Sequence, residues 1–436
     1  MHPKPSAFNS SAPYQTTGEK YMKYYQVVVL MVLGAFLAAC GGGGTQTTSG
    51  NPPPTSGTKS ISGVVAAGAA IANATVTVTD ANGVSANAVT TDVSGVYTVD
   101  VTNLTAPLFI KAVYNGGIVT TLYSYAGTGN TIANVNPLSN AVVLSAAKLA
   151  GVDVTALNAA LVTGISSKES LAYDILTKVF AAAYANYGVT FSNNPITTAY
   201  TVGSALDNMF DVASFDVSNK TVSIMNKVTG NAVSTIPDIT TATVNSIATV
   251  AAGEDYKPDT DPNMSIDSVA VATGSVGTHF TVFGKGFAAD PGVEVILING
   301  VKTANFGGST TQSIISVVTP GCTTGTITYV NMTTKRYLVS NQKFTVAYDA
   351  NTKYFIGDVA AGSSSCFISG GNYVAGSVVD VVQNGSTVTV TPLATNINPG
   401  AIQLNFPGSI NANAPYTLRV RDTSGAVSNM FAMPKV

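Results

Sequence analysis

The middle of the chain carries the carboxylates that could do acid–base chemistry. Asp207 and Asp211 stand four positions apart, and the apolar residues Leu206, Met209 and Phe210 around them predict a helix. Side chains at i and i+4 share a helix face, so the two carboxylates would project together, as in a glycosidase. The alternative is a solvated helix face with two unrelated acids. Other acids of this region include Glu169, Asp174 and Asp216.

Histidine is nearly absent from the chain. The sequence has two histidines, His2 and His279, and His2 precedes the long apolar run near the start. A histidine-based metal site or catalytic triad would therefore depend on His279 alone, which disfavours both chemistries. We predict no catalytic residue, no metal site and no cofactor, and hence a protein that is not an enzyme.

One cysteine stands at the end of an apolar run. Residues 27–39 are apolar and uncharged, Ala38 and Ala39 are small, and Cys40 is followed by four glycines. The run is short for a membrane-spanning helix, which needs about 20 residues. This boundary resembles a bacterial lipoprotein signal, which implies a lipid such as palmitate on Cys40. The alternatives are an ordinary secretory signal or an uncleaved anchor.

The same resemblance implies an order and a location. Residues 1–39 would be a leader and signal peptide, with Met22 as a candidate start, and residues 40–58 a flexible tether containing three prolines. In such lipoproteins an Asp after the cysteine can favour the inner membrane, whereas this chain has Gly41. We therefore expect a lipid-anchored protein of the cell envelope, at the outer membrane, facing the periplasm or the exterior.

The other cysteines are Cys322 and Cys366. Two cysteines left over in an oxidising compartment can form a disulfide, which here would close a loop of 45 residues, from 322 to 366 inclusive. The alternative is two separately buried thiols.

Composition limits the classes of partner. The chain has 436 residues, which predicts several domains, and only 10% of them are charged, with a net charge of −2. This balance provides no basic surface for nucleic acid. Tryptophan is absent and 19 residues are tyrosine, which removes the usual indole platforms for carbohydrate and leaves tyrosine as a partial substitute.

Residues 59–115 predict a small β-sandwich. Residues 74–79 alternate in period two, and Asn82-Gly83 marks a hairpin turn. The order of these segments, through Thr90–Val99, resembles a carboxypeptidase regulatory-like domain, which implies a transthyretin-like sandwich. Asp92 is expected to cap a turn, Gly95 to supply a permissive backbone and Tyr97 to pack inward.

Residues 116–253 predict an α-rich middle domain. Apolar residues recur at helical spacing in 138–149, 171–184 and 202–213. A hairpin is expected over 215–224 and a last helix over 240–252. Residues 254–263 follow as an acidic linker with two prolines, for which a solvated hinge competes with a calcium loop.

Two β-rich segments complete the chain. In residues 264–347, the run Gly274–Phe287, with Gly284 and Gly286, resembles an IPT/TIG domain, which implies an immunoglobulin-like sandwich. Phe287 is expected to close the end of the sandwich, and His279 to face solvent beside an inward Phe280. Residues 350–436 resemble a degenerate second immunoglobulin-like copy.

The predicted fold is therefore multidomain and mainly β, with immunoglobulin-like and transthyretin-like sandwiches flanking an α-rich middle. The preferred function is non-catalytic: adhesion, envelope structure or binding of a protein or glycan through the C-terminal modules, with the membrane held through Cys40. The alternative is a polysaccharide-acting enzyme or an accessory carbohydrate-binding lipoprotein.

Overall fold

The computed structural model describes residues 59–115, 119–347, 352–361 and 364–433, which belong to one compact unit. The predicted signal, Cys40 and the tether lie outside these ranges. The described part is mainly β, and it has β modules before and after an α-rich middle, so the predicted fold class is confirmed. No helix within it is both long enough and apolar enough to cross a bilayer.

The first module is a sandwich of two sheets, with strand orders β1-β4 and β3-β2-β5-β6. Its strands are β1 Ser60–Val64, β2 Thr75–Thr79, β3 Val89–Thr90, β4 Val96–Asp100, β5 Leu108–Asn115 and β6 Val119–Ala126. Val76 and Val78 are fully buried on one face of β2, whereas Thr75 is exposed and Thr77 is half-buried, as alternation requires. Strand β6 pairs with β5 along its whole length, so the sheet extends past residue 115.

Three local predictions for this module are confirmed. The Asp92 carboxylate accepts hydrogen bonds from the backbone N–H groups of Ser94 (2.8 Å) and Val96 (2.9 Å), which caps the turn. Gly95 has φ +75°, a conformation that disfavours side chains with a Cβ. Tyr97 is only 2% exposed and donates to the carbonyl of Ala133.

The middle module has five helices followed by a three-stranded sheet. They are α1 Pro137–Ala150, α2 Ala159–Ser166, α3 Glu169–Val179, α4 Ala181–Asn186, α5 Ala205–Val212, β7 Ala213–Ser218, β8 Thr221–Asn226 and β9 Ala232–Ile236. Asn136 and Ser139 form a capping box at the start of α1, and Gly151 ends it in the left-handed region. The helices share one core with Phe109 of the first module and with Val295 and Tyr337 of the module that follows.

The helix predicted over residues 240–252 is wrong. This segment forms turns and irregular backbone. Its hydroxyl side chains bind neighbouring groups instead of leaving the backbone free for a helix: Thr240 donates to Asp238 at 2.6 Å, and Ser246 accepts from the backbone N–H of Thr243 at 3.1 Å. Such local bonds, together with many β-branched residues, compete with helix formation.

The predicted solvated linker over residues 254–263 is also wrong in part, because its first half is packed. Tyr256 is 1% exposed, and Glu254 accepts hydrogen bonds from Thr229 (2.6 Å) and Asn231 (2.9 Å) of the middle module. Lys257–Pro258 forms a short strand, β10, parallel to a strand of the next module. In the described part of the chain, no group of three or more His, Cys, Asp or Glu residues is placed to hold a metal ion.

The third module is a second sandwich. Its other strands are β11 Ser265–Ala270, β12 Thr273–Gly274, β13 His279–Lys285, β14 Glu294–Ile298, β15 Val301–Lys302, β16 Ala304–Thr310, β17 Ser313–Val317, β18 Gly325–Asn331 and β19 Arg336–Val346. One sheet has the order β10-β19-β18-β14-β15 with β12 beside β19, and the other has β11-β13-β17-β16. Phe280 and Phe287 are buried in the shared core and His279 is exposed, as predicted.

The fourth module is one continuous curled sheet around a single core. Its elements are β20 Thr352–Ala361, β21 Ser365–Gly371, β22 Val378–Gln383, β23 Ser386–Val390, a 3-10 helix Ala394–Asn396, β24 Ile397–Asn398, β25 Ala401–Asn405, β26 Tyr416–Arg421, β27 Val427–Ser428 and β28 Phe431–Met433. The His279 ring nitrogen Nε2 lies 2.8 Å from the carbonyl oxygen of Gly357, which links this module to the third.

Candidate binding site

The two acids at i and i+4 lie on helix α5, as predicted, but they do not face solvent. Ser204 caps the start of this helix, because its hydroxyl oxygen accepts a hydrogen bond from the backbone N–H of Asp207 (3.3 Å). Asp207 and Asp211 are both 0% exposed. The interpretation of a solvated face is therefore wrong. A glycosidase pair is disfavoured as well, because a polysaccharide cannot reach buried carboxylates.

Asp207 binds the first module. Its carboxylate accepts hydrogen bonds from the backbone N–H of Gly203 (2.8 Å), the hydroxyl of Tyr200 (2.9 Å) and the backbone N–H of Gly68 (3.3 Å). Gly68 belongs to the loop between β1 and β2. Burial raises the pKa of Asp207, and the three donors oppose that rise. The carboxylate thus joins helix α5 to the first sandwich.

Asp211 binds the third module. The hydroxyl of Thr326, on β18, lies 3.0 Å from Asp211 Oδ1 and 3.3 Å from the carbonyl oxygen of Gly68. Gly68 has φ +88°, and a Cβ at that position would lie 2.5 Å from Asp211 Oδ1. Three modules therefore meet at this carboxylate, and the approach requires glycine.

A lysine completes this cluster. The Lys227 ammonium donates a hydrogen bond to the carbonyl oxygen of Phe210, and Gly300 of the third module lies directly against that ammonium. Burial raises the pKa of Asp211 well above its usual range, while the charge of Lys227 opposes that rise. Burial likewise lowers the pKa of Lys227 against the opposing effect of Asp211. We call Gly68, Asp207, Asp211, Lys227 and Thr326 the acidic junction.

A cleft that is accessible to a ligand lies on the middle module. We call it the aromatic cleft, and its volume is about 650 Å³. It is formed by α3, α4 and the loop after α4. Its lining is Tyr173, Asp174, Thr177, Lys178, Ala181, Tyr184, Ala185, Val189, Thr190, Phe191, Ser192, Asn193 and Asn194.

Three rings form the apolar part of the aromatic cleft. The Phe191 ring stands edge-on to Tyr184, with centroids 4.8 Å apart and planes at 89°. It makes a similar contact with Tyr173, at 6.5 Å and 73°. Tyr184 is 1% exposed, whereas Tyr173 and Phe191 are half-buried. Buried Tyr184 therefore supports Phe191, which in turn contacts Tyr173, and these two rings remain partly open to a ligand.

Polar groups surround these rings. Lys178 Nζ and Asp174 Oδ2 form an exposed i, i+4 ion pair at 3.4 Å, so the charged groups of the lining cancel. Asn193 and Ser192 are exposed at the rim. Burial, with the charges of Asp174 and Glu169, raises the pKa of Tyr173 to about 12, so its hydroxyl stays protonated at neutral pH.

Hydrogen bonds from Asn134 fix the position of the loop that carries Phe191 and Asn193. The side-chain amide of Asn134 donates to the carbonyl oxygens of Pro195 (2.9 Å) and Thr198 (2.6 Å). The Asn134 carbonyl also accepts from Ser124 of strand β6 at 2.7 Å. The loop is thus anchored to the first module through Asn134.

The described lining of the aromatic cleft can contact a ligand, but it holds one carboxyl group, whereas glycoside hydrolysis needs two. Such chemistry needs two carboxyl groups on either side of the scissile bond. Asp174 is the single acid among the described lining residues, and Lys178 neutralises it.

The two cysteines that were expected to pair lie in different modules. Cys322 lies in the core of the third module and Cys366 in the core of the fourth, and both thiols are free and buried. The predicted disulfide is therefore not formed in this structure, because the two side chains belong to different cores. Burial raises the pKa of Cys322 to about 11 and of Cys366 to about 12, as expected for inert thiols.

The comparisons with known proteins are weak. No family model and no curated protein matches the chain. Among solved structures, SGBP-B of the Bacteroides ovatus mixed-linkage glucan utilization locus, in complex with a mixed-linkage heptasaccharide, is 16% identical with a TM-score of 0.21, over 48% of each chain. The surface glycan-binding protein PbSGBP-B of Prevotella bryantii is 15% identical with a TM-score of 0.16, over 41% of this chain and 40% of that one.

An enzyme matches equally weakly. A gamma-CGTase from alkalophilic Bacillus clarkii is 12% identical with a TM-score of 0.17, over 55% of this chain and 43% of that one. The chain thus matches less than half the length of each of these three proteins. Similarity at this level carries no argument about function.

The acidic junction generates a prediction about stability. Replacing Asp211 (Asp211→Ala) leaves the buried Lys227 ammonium without the opposing charge of that carboxylate, and it removes the shorter of the two hydrogen bonds of the Thr326 hydroxyl. We expect a loss of about 3 kcal/mol or more in the free energy of unfolding. Adding Lys227→Met should recover part of that loss, because the uncompensated charge is then removed. Urea unfolding followed by circular dichroism measures both effects.

The matched control is Asp216→Ala, which removes an exposed acid from neighbouring strand β7 and should change stability by less than about 0.5 kcal/mol. Additive effects of the Asp211 and Lys227 substitutions would contradict the coupling between these residues.

Proposed function

We propose that this chain is a lipid-anchored protein of the cell envelope that binds a neutral glycan in the aromatic cleft without cleaving it. The observation that carries the proposal is the combination of two half-buried rings, Tyr173 and Phe191, with an internally neutralised ion pair and exposed amides. The carbohydrate-binding form of the alternative function is therefore preferred over a role in adhesion.

The rings suit the apolar face of a sugar. A pyranose presents C–H groups on one face and hydroxyl groups at its edge. The partly open faces of Tyr173 and Phe191 offer apolar area whose orientation is set by the contact of Phe191 with buried Tyr184. A pre-oriented ring costs little conformational entropy on binding. The aromatic cleft thus uses tyrosine and phenylalanine where the chain has no tryptophan.

The polar groups suit the hydroxyl edge. Asp174 is an acceptor, Lys178 is a donor, and the amide of Asn193 is both. Because the Asp174–Lys178 pair adds no net charge, the lining favours neither an acidic nor a basic ligand. A cleft of about 650 Å³ is large enough for a short oligosaccharide segment.

Anchoring through Cys40 is part of the proposal and is supported by the apolar run, the small residues and the position of the cysteine. Cys40→Ala should release the chain from the membrane fraction into the soluble fraction, because the acyl chains supply the attachment. Fractionation of cells followed by immunoblotting measures this. An unchanged membrane fraction would contradict attachment through the lipid alone and would assign it to the apolar run 27–39.

A glycan array of neutral polysaccharides, followed by isothermal titration calorimetry with the best binder, tests the binding function. Tyr173→Ala should weaken binding about ten-fold, which is roughly 1.4 kcal/mol, because a stacking face is lost. Asn193→Ala should weaken binding by a smaller factor, and folding should be unaffected because Asn193 is exposed. Phe283→Ala is the control, since it removes an aromatic ring that is 42% exposed on the third module.

Two results would contradict this function. One is binding that is unchanged by the Tyr173 and Asn193 substitutions. The other is release of new reducing ends from the glycan by the wild-type chain, which would show cleavage.

A further inference from the structure

A second cleft lies between the first and third modules. Its lining shares no residue with that of the aromatic cleft. We call it the intermodule cleft, and its volume is about 420 Å³. The residues that matter for its chemistry are Ile71, Asn73 and Tyr114 of the first module and Asn299, Thr323 and Lys343 of the third.

The acidic junction builds both walls of this cleft. Gly68, which donates to Asp207, directly precedes the wall segment 69–73. Gly300, which lies against the Lys227 ammonium, directly follows Asn299. Thr326, which contacts Asp211, directly follows the wall segment 322–325. The separation of the two walls is therefore set by buried polar contacts, and the cleft exists before any ligand arrives.

One polar atom in the wall lacks a partner. Asn299 stands in the left-handed region at φ +47°, and its amide nitrogen donates to the Thr323 hydroxyl at 2.6 Å. Its side-chain oxygen is shielded from solvent and accepts no hydrogen bond from the described residues. Shielded acceptors are rarely left without a donor in folded proteins. That shielded oxygen is out of a ligand's reach, whereas the Thr323 hydroxyl, which accepts from the Asn299 amide, can donate its own proton to a ligand in the cleft.

The described lining of the intermodule cleft carries one positive charge. Lys343 is exposed and is the single charged side chain in the described lining. The three salt bridges found among the described residues do not include it. An anionic ligand is therefore favoured over a neutral or cationic one.

We propose that the intermodule cleft binds an acidic saccharide, a sugar that carries a carboxylate. The carboxylate pairs with Lys343, and a sugar oxygen accepts from the Thr323 hydroxyl. The side chain of Asn73 faces another hydroxyl, and Tyr114 offers a ring to the apolar face. Amide and hydroxyl groups outnumber charges in this lining, which suits a polyhydroxylated ligand better than a peptide carboxylate.

This site is separate from the proposed function. The aromatic cleft is charge-balanced and lies on α3 and α4, whereas the intermodule cleft is cationic and lies between two sandwiches. Loss of neutral-glycan binding would leave this proposal intact, and the reverse is also true.

Calorimetric titration of tetragalacturonic acid into the full-length chain in detergent tests the proposal. We expect saturable binding that weakens as salt is raised, because the Lys343 contact is screened. Lys343→Gln should weaken binding about three-fold, as for an exposed ion pair. Asn299→Asp, which tolerates the same backbone conformation, should weaken it further, because it places a negative charge against the ligand carboxylate.

The controls separate this site from others. Lys285→Gln removes an exposed lysine from the same module outside the cleft, and Tyr173→Ala alters the aromatic cleft; both should leave the affinity unchanged. The proposal is overturned by three results: no binding of tetragalacturonic acid, equal affinity for neutral cellotetraose, or equal affinity in the Lys343 and Asn299 variants. Tighter binding of a short peptide with a free carboxylate would also overturn it, since it would assign the site to peptides.

Discussion

Two buried carboxylates on one short helix hold the modules of this protein together. Asp207 accepts from Gly68 of the first module, and Asp211 contacts Thr326 of the third. Removing charges from water is costly, so such a cluster persists only where several partners satisfy it. Here backbone N–H groups and two hydroxyls donate to the carboxylates, and the charge of the buried Lys227 ammonium opposes that of Asp211. The acids that resemble catalytic residues in the sequence thus act as structural contacts between modules.

Both clefts follow from this arrangement. The walls of the intermodule cleft begin at the residues that the junction holds. The aromatic cleft rests on helices whose core continues into both neighbouring sandwiches. Its loop is tied by Asn134 to the first module. The two clefts differ in charge, since one lining is balanced and the other carries one lysine. Together they suit extended glycans that carry both neutral and acidic sugars, and this interpretation unites the two proposals.

The sequence predicts those parts of the fold that depend on local pattern. Alternation predicts strand β2, and helical spacing predicts α5, because both signals lie within a few residues. Burial of Asp207 and Asp211 is not predictable in this way, since their partners stand 139 and 115 positions away. Helical spacing does not distinguish a core ring from a partly open one, so it does not single out Tyr173, and Phe191 lies in a loop outside that pattern. The cluster of rings before Ser192-Asn193-Asn194, in a chain without tryptophan, was the available signal.

The central claim is that the acidic junction fixes the first and third modules as one body. Double electron–electron resonance tests it directly, with spin labels at exposed Val93→Cys and Lys302→Cys and the buried thiols Cys322 and Cys366 replaced by serine. The account predicts one narrow distance distribution that becomes broad when Asp211→Ala is added. A broad distribution with Asp211 intact, or a narrow one that survives its removal, would contradict it.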